Sequence, residues 1–483
     1  MKDLPSALCA QLSTLLGARF SRAVAVRDQH AGAGMHFAPL PPQAVATAET
    51  LEEIIAIVRA CAEHKVPIIP YGAGTSLECH VGAPRGGVSI DLSGMKRVLR
   101  VSTEDQDCTV EPGVTRSALN EELRHTGLFF PVDPGADASI GGMASTRASG
   151  TTTLRYGGMR ENVIALTVVT ANGQVIKTAR RARKSSAGYD LTHLFVGSEG
   201  TLGIIADVTL KLHPVPEAMS AAVCAFASSR GATSTVIEAI QCGLPLARAE
   251  YLDDVAMGAV NHTFATDYAQ SDALFLEFHG SAEDVAAHAE RARAIARDNG
   301  GGDFRWAVET EARNQLWKAR HNAGLAALSL RPGARPWSTD VCVPISRLPE
   351  CIEETKKDIA ALPFPAVVLG HIGDGNFHVI LLLDTTKPEE TDAAKRFNDT
   401  LVARAIAMDG TSTGEHGIGM GKRESLRHEL GGAVDLMAAI KAGLDPKGIM
   451  NPEKIFLSAP DSDYRAAKTA QRRCARRRRP GSM

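Results

Sequence analysis

The segment VLGHIGDGNFHVI (368–380) places two histidines, His371 and His378, seven residues apart across a Gly-Asp-Gly-Asn stretch. On one straight strand an odd spacing points the imidazoles to opposite faces, whereas two strands joined by a turn bring them together. Taken alone, these residues leave open whether both rings bind one metal ion or pack independently. Further along, GTSTGEHGIGMGKR (410–423) offers Glu415 with His416 beside it. Two neutral imidazoles and a carboxylate form an ordinary three-ligand site for Zn²⁺ or Mn²⁺, with positions open to a substrate. A non-ligating His416 is then free to take a proton, with an ordinary pKa close to neutral. The plainer reading makes Glu415 and His416 simple loop residues among glycines. Asp374, between the histidines, has two readings: an acceptor that orients a ligand histidine, or a residue that favours the turn.

A site of this kind needs a scaffold, and the composition provides for one. The chain has 483 residues, 44% of them hydrophobic, enough for a large core and two or more domains. Its formal net charge of −2 argues against nucleic-acid binding. The exception is the end of the chain: from Asp461 onward eight Arg/Lys stand against two acids. Such a run reads as a solvated, disordered tail, with docking of an acidic partner or anionic lipid as the alternative. Nine cysteines without a CxxC pair exclude a disulfide framework and a thiolate zinc site. Residues 1–20 lack the apolar run of a secretory signal peptide, and no stretch approaches the ~18 apolar residues of a membrane span. The expectation is a soluble, cytoplasmic protein, with peripheral attachment to the inner face of the membrane as a variant.

Helix and strand signals alternate along the chain, so the class is α+β. TLEEIIAIVRACAEHK (50–65) carries a capping box, Thr50 with Glu53, ahead of apolar residues at helical spacing. VIALTVVTANGQVIKT (163–178) predicts a hairpin around Asn172-Gly173. LFVGSEGTLGIIADVTLKLHPVP (194–216) reads as a strand pair closed by prolines at a domain boundary. Beyond it, SAEDVAAHAERARAIARDNG (281–300) lies between two strand-like runs, the texture of a separate sheet domain. LMAAIKAGLDPKGIMNPEKIF (436–456) predicts a helix ending at Gly443, then an ordered segment.

Three glycine-rich loops fall within one stretch: PYGAGTSLE (70–78), PGADASIGGMASTRASG (134–150) and GSEGTLGII (197–205). Glycines let the backbone approach phosphate and aim successive N–H groups at it, while Ser and Thr add donors. The first is not a dinucleotide fingerprint, since Leu77 stands where the third glycine would be. Together with EPGV and RYGGMRENVIALTVVTANG, the order and spacing of these loops resemble the FAD-binding domain of the vanillyl-alcohol oxidase family over residues 40–215. The resemblance implies non-covalently bound FAD. It assigns Tyr71, Gly72, Ala73, Gly74, Thr75 and Ser76 to the pyrophosphate, and Ser139, Gly141, Gly142, Ser145 and Gly150 to the pyrophosphate and flavin. Glu199, Gly203 and Ile205 are assigned to the adenosine and ribityl end, and Asn451 also joins the cofactor residues. Cys79 stands where relatives carry glycine, and is strained there if that position needs positive φ.

The second half carries LWKARHNAG (316–324), WSTDVCVPISRLPE (337–350), GHIGDGNFHV, GTSTGEHGIGMGKR and LDPKGIMNPEKIF (444–456). In this order they resemble the FAD-linked 2-hydroxy-acid dehydrogenases, in their cytochrome-type D-lactate branch, over residues 20–457. That resemblance implies a two-part FAD-binding domain with a smaller, ferredoxin-like α+β substrate (cap) domain. The implied boundaries are 1–216, 217–410, a segment 411–458 returning to the flavin, and the tail 459–483. It implies His371, His378 and Glu415 as metal ligands, His416 as the base for the substrate hydroxyl and Arg320 as the clamp on the carboxylate. The expected reaction is oxidation of a small D-2-hydroxy acid to the 2-oxo acid by hydride transfer to flavin N5. Electrons then pass to cytochrome c or a quinone-type acceptor. Relatives acting on D-2-hydroxyglutarate carry a lysine near Ser338, so serine there implies a monocarboxylate such as D-lactate. A glycolate dehydrogenase or oxidase subunit is the alternative within the class, and a metallohydrolase with a nucleotide-binding domain the alternative outside it. A homodimer is compatible with this reading.

Overall fold

The computed structural model describes residues 3–32 and 36–457; the basic tail and the segment from 459 lie outside the described residues. Three sheets organise the chain. The first is four-stranded, ordered Phe20–Ser21, Ala44–Thr47, Val88–Asp91, Ile68–Tyr71, with the last three strands parallel. The parallel strands are joined through the helix Leu51–His64, whose Ile54, Ile57, Val58, Cys61 and Ala62 are buried against the sheet. Thr50 caps this helix by accepting from the Glu53 N–H. The box is only half formed, because the Glu53 carboxylate accepts from the Glu49 N–H and pairs with Arg19 instead.

The second sheet is five-stranded and antiparallel, ordered Val98–Ser102, Asp107–Val110, Gly203–Lys211, Val163–Thr170, Val175–Lys177. The expected hairpin forms, with Gly173 at φ 75° and the Asn172 side chain accepting from the Gln174 N–H. The expected strand pair over 194–216 does not. Asp190 caps a short helix, Leu191–Phe195, which takes the first apolar run, so one long strand remains. His213–Pro214 then pairs only with Leu128–Phe129.

The third sheet has eight strands, and every neighbouring pair in it is antiparallel. Its strands fall between Ala218–Phe226 and Asn376–Leu383, and separate apolar clusters cover its two faces. On one face lie the helices Ser229–Gln241, Ala282–Asp298 and Leu348–Ile359; on the other lie Asp254–Phe264 and Thr310–His321. The chain then returns to the first sheet. After the helix Ala433–Leu444, the Ile449 carbonyl accepts from the Ile68 N–H (2.8 Å), and the Asn451 N–H donates to the Ile68 carbonyl (2.8 Å). No helix among the described residues is long and apolar enough to cross a membrane.

Cys79 has φ 58° and is 1% exposed, so the residue is strained in the left-handed region. That conformation costs roughly 1–2 kcal/mol for a residue with a Cβ. A glycine there would relieve the strain, but it would leave a small void and add about 0.5–1 kcal/mol of chain entropy. Cys79→Gly is therefore expected to leave the melting temperature within about 2 °C, while Cys79→Val lowers it clearly, since a β-branched residue is least tolerated at positive φ. Thermal melts of the two variants check this.

Candidate active site

The first and third glycine loops and the N-terminus of the helix Ile140–Thr146 enclose a cavity of about 400 Å³. Tyr71, Gly72, Ala73, Gly74, Thr75, Ser76, Ser139, Gly141, Gly142, Ser145, Glu199, Gly203, Ile205 and Asn451 all line it, together with Glu415 and His416. At Gly72 a Cβ would come within 2.3 Å of the Ser139 hydroxyl and displace it from the Ala73 N–H, from which it accepts (3.3 Å). Gly150 is not brought to the cavity wall. It lets the second loop pass Asp133, whose carbonyl a Cβ would meet at 1.9 Å.

Glu199 lines the cavity, but its carboxylate is engaged elsewhere. It accepts from the N–H groups of Ile418 (2.7 Å) and Gly419 (2.8 Å) and pairs with His80 (3.3 Å). The third glycine loop thereby holds the loop that carries Glu415 and His416. Asn451 donates to the carbonyls of His80 and Glu199, leaving its Oδ1 buried and without a hydrogen-bond partner among the described residues. The His80 Nδ1 is left in the same way. A glycine-lined cavity of this size, with Ser and Thr side chains among its lining, fits a large polar ligand such as FAD.

Behind Glu415, which lines this cavity, the two histidines meet. The strands Ala366–Gly370 and Asn376–Leu383 form an antiparallel hairpin, so the turn geometry applies and the rings lie 5.6 Å apart. Asp374 belongs to the turn: its N–H donates to the His371 carbonyl (3.0 Å). The acceptors on the rings come from elsewhere. His371 Nδ1 faces both oxygens of Glu250 (2.8 and 2.9 Å), and His378 Nδ1 faces the Thr339 carbonyl (3.0 Å). Those acceptors place the protons on Nδ1 and turn both Nε2 atoms toward Glu415 Oε1, at 3.3 and 3.2 Å.

Tetrahedral bonds of about 2.0–2.1 Å set ligand atoms about 3.3 Å apart, as the two separations to Glu415 are, and all three ligand atoms lie within 4.8 Å of one another, so the group could hold a divalent ion. Burial alone would raise the Glu415 carboxyl, but the charges of His371 and His378 outweigh it and hold the group well below the carboxylate range. His371 is likewise opposed by burial, and Glu250 and Glu415 lift it well above the ordinary histidine value. A second group, Asp340 with His378 and His416, also lies within ligand distance. Its carboxylate is already spent. Asp340 accepts from Asn376 Nδ2, the Thr413 hydroxyl and the N–H groups of Glu415 and His416, with buried Lys422 as counter-ion. Asp340 thereby pins the loop that carries Glu415 and His416.

His416 stacks on His378 with ring centroids 4.9 Å apart. Its Nε2 lies 3.7 Å from Glu415 Oε1, and its Nδ1 lies 4.0 Å from Asp340. Burial pushes its pKa down to about 4, with Asp340 partly opposing, in place of the near-neutral value expected. Arg320 lies in the last turn of the helix Thr310–His321 and is 5% exposed. Its Nη2 donates to Glu250 (2.5 Å), while its Nε is buried without a partner among the described residues. Glu250, Thr339 and Asp340 were not anticipated as site residues. Asp340 stands inside a quoted motif; for Glu250 the signal is a carboxylate set in the apolar strand Leu246–Leu252.

Residues 42–179 match the model of the FAD binding domain, and residues 215–455 match that of the FAD linked oxidases, C-terminal domain. The class is thus an FAD-linked oxidoreductase, and the metallohydrolase alternative falls away. The chain is 52% identical over 436 residues to the probable D-lactate dehydrogenase, mitochondrial, of Danio rerio, covering 89% of this chain and 88% of that one. It is 44% identical over 458 residues to the D-lactate dehydrogenase (cytochrome), mitochondrial, of Arabidopsis thaliana, covering 94% and 81%. Among solved structures, p-cresol methylhydroxylase with substrate bound shares the fold, with a TM-score of 0.77 at 19% identity over 94% of this chain and 97% of that one. The chain belongs to the family of cytochrome-type D-lactate dehydrogenases. The cytoplasmic expectation is overturned, because these relatives are mitochondrial proteins. Composition alone does not distinguish the cytoplasm from other aqueous compartments.

Proposed function

We propose that the protein oxidises D-lactate to the 2-oxo acid with FAD in the glycine-lined cavity, and passes the electrons to a cytochrome or quinone-type acceptor. The observation that carries this reading is the meeting of a metal-compatible triangle, His371, His378 and Glu415, with buried His416 on the wall of the same cavity. FAD bound there supplies a two-electron acceptor for the C2 hydride. A divalent ion, Zn²⁺ or Mn²⁺, on His371, His378 and Glu415 supplies Lewis acidity that lowers the hydroxyl pKa of a chelated 2-hydroxy acid. His416, kept neutral by burial, takes the hydroxyl proton. Arg320 offers its unpartnered Nε–H to the substrate carboxylate while Glu250 holds its other end. That orientation selects which C2 face is presented to the cofactor. The neutral side chain of Ser338 suits a monocarboxylate and leaves glycolate as the second candidate.

Anaerobic mixing of the yellow protein with D-lactate, L-lactate, glycolate and D-2-hydroxyglutarate tests the reading. Flavin absorbance is expected to bleach fastest with D-lactate, and at least about 100-fold more slowly with L-lactate, a difference of about 2.7 kcal/mol. Equal bleaching by both lactate enantiomers would refute the assigned orientation, and a colourless protein would refute the cofactor.

A further inference from the structure

We infer that Glu250 is a positioning residue that joins the arginine for the substrate carboxylate to a histidine of the metal site, so that one buried side chain sets both. The inference rests on the reading given under Proposed function. Glu250 is 1% exposed and lies on the strand Leu246–Leu252. Its neighbours Ala249 and Tyr251 pack into the apolar cluster on the opposite face of the sheet. Both of its oxygens reach His371 Nδ1, at 2.8 and 2.9 Å, and Oε2 also accepts from Arg320 Nη2 at 2.5 Å.

Each contact has its own consequence. A carboxylate on Nδ1–H fixes the tautomer of a ligand histidine, turns its Nε2 lone pair to the ion and raises its basicity. The same carboxylate takes one end of the guanidinium, so Nε–H is held for a second acceptor. Ion and carboxylate clamp are thereby set at one separation, and that separation fixes where C2 of a chelated 2-hydroxy acid must lie. A purely structural role accounts poorly for this arrangement. Arg320 projects from a helix whose Leu316, Trp317 and Ala319 belong to an apolar cluster. Apolar side chains would serve stability at such a buried ion pair as well or better.

The test uses the full-length, flavin-loaded protein and two variants, Glu250→Gln and Glu250→Asp. Glutamine keeps an oxygen for His371 Nδ1–H, but turns N–H groups against Arg320. Aspartate keeps the charge and is too short to reach both partners. Zn²⁺ affinity is read by competition with a chromophoric chelator, KM and kcat by turnover of D-lactate, and flavin content by absorbance. Both variants are expected to weaken Zn²⁺ binding by about 10–100-fold and to raise KM at least about ten-fold, with flavin content unchanged. Arg320→Lys added to Glu250→Gln is expected to cost less than the product of the single effects, because both act on one network. If either variant retains flavin and keeps both Zn²⁺ affinity and KM within about two-fold of the parent, the positioning role is overturned. A parent protein that binds no divalent ion overturns the metal reading itself. The two failures are therefore told apart by which protein shows them.

Discussion

His416→Gln is expected to slow flavin reduction by D-lactate by about 10²–10⁴-fold, with flavin and metal content intact. The argument starts from burial. His416 sits against His378 with no hydrogen-bond partner on Nδ1 among the described residues, and burial pushes its pKa to about 4. A histidine of ordinary pKa would be partly protonated near pH 6.5 and lost as a base there. His416 is instead protonated only below about pH 4, so its base form prevails throughout the neutral range. A cation at Glu415 pushes in the same direction, since like charge disfavours the imidazolium. The rate of flavin reduction should accordingly show no histidine limb between pH 6 and 7, and should fall only as pH drops toward 4. Stopped-flow reduction across that range checks it. A limb near 6.5 that vanishes in the variant would show that His416 is solvated in the working enzyme. A variant with unchanged rate would remove it as the base.

The neutral state of His416 was not legible in the sequence, and the reason is physical. Residue type gives the intrinsic pKa, but the downward shift comes from burial, with the charge of His378 adding to it and Asp340, 76 residues away along the chain, opposing it. Legibility followed range. The glycine-rich loops were readable because close approach of chain segments demands glycine locally, as at Gly141 against Pro112. The hairpin at Asn172-Gly173 was readable because its turn chemistry is contained in two residues. The ligand trio was readable as residue types, although only the hairpin made His371 and His378 face one point. What escaped was long-range or ambiguous. Glu250 contacts His371 across 121 residues, and nothing local marks the pairing. The run at 194–195 fits a strand as well as a short helix until Asp190 caps it. Gly150 and Glu199 were expected to serve the cofactor, yet one allows a close pass of Asp133 away from the cavity wall and the other holds the Ile418 and Gly419 amides.

On the proposed reading, removing a divalent ion from His371, His378 and Glu415 is expected to have the other large effect. Glu415 Oε1 lies 3.3 Å from His371 Nε2 and 3.2 Å from His378 Nε2, so two nitrogen lone pairs and a carboxylate oxygen converge on one point. Without a cation that arrangement needs protons. The carboxylates of Glu250 and Glu415 on either side of His371 make it the site that takes one, which is why its pKa stands well above the ordinary value despite burial. An incoming ion must displace that proton, so apparent metal affinity should tighten as pH rises through neutrality. The ion should therefore be held more weakly at pH 6 than at pH 8, whereas a site of carboxylates alone, fully ionised over this range, would show almost no pH dependence. Once the ion is gone, the substrate hydroxyl keeps its full basicity, and an imidazole base of pKa about 4 is far too weak to take its proton. Loss of about 4 kcal/mol of assistance corresponds to roughly 10³-fold in flavin reduction. Zn²⁺ or Mn²⁺ should restore the rate in the parent protein. Glu415→Gln should match the chelated state and resist rescue, because the amide removes the anionic ligand. Equal bleaching by D-lactate before and after complete chelation would take the ion out of the mechanism and leave His371, His378 and Glu415 as a proton-bridged structural cluster.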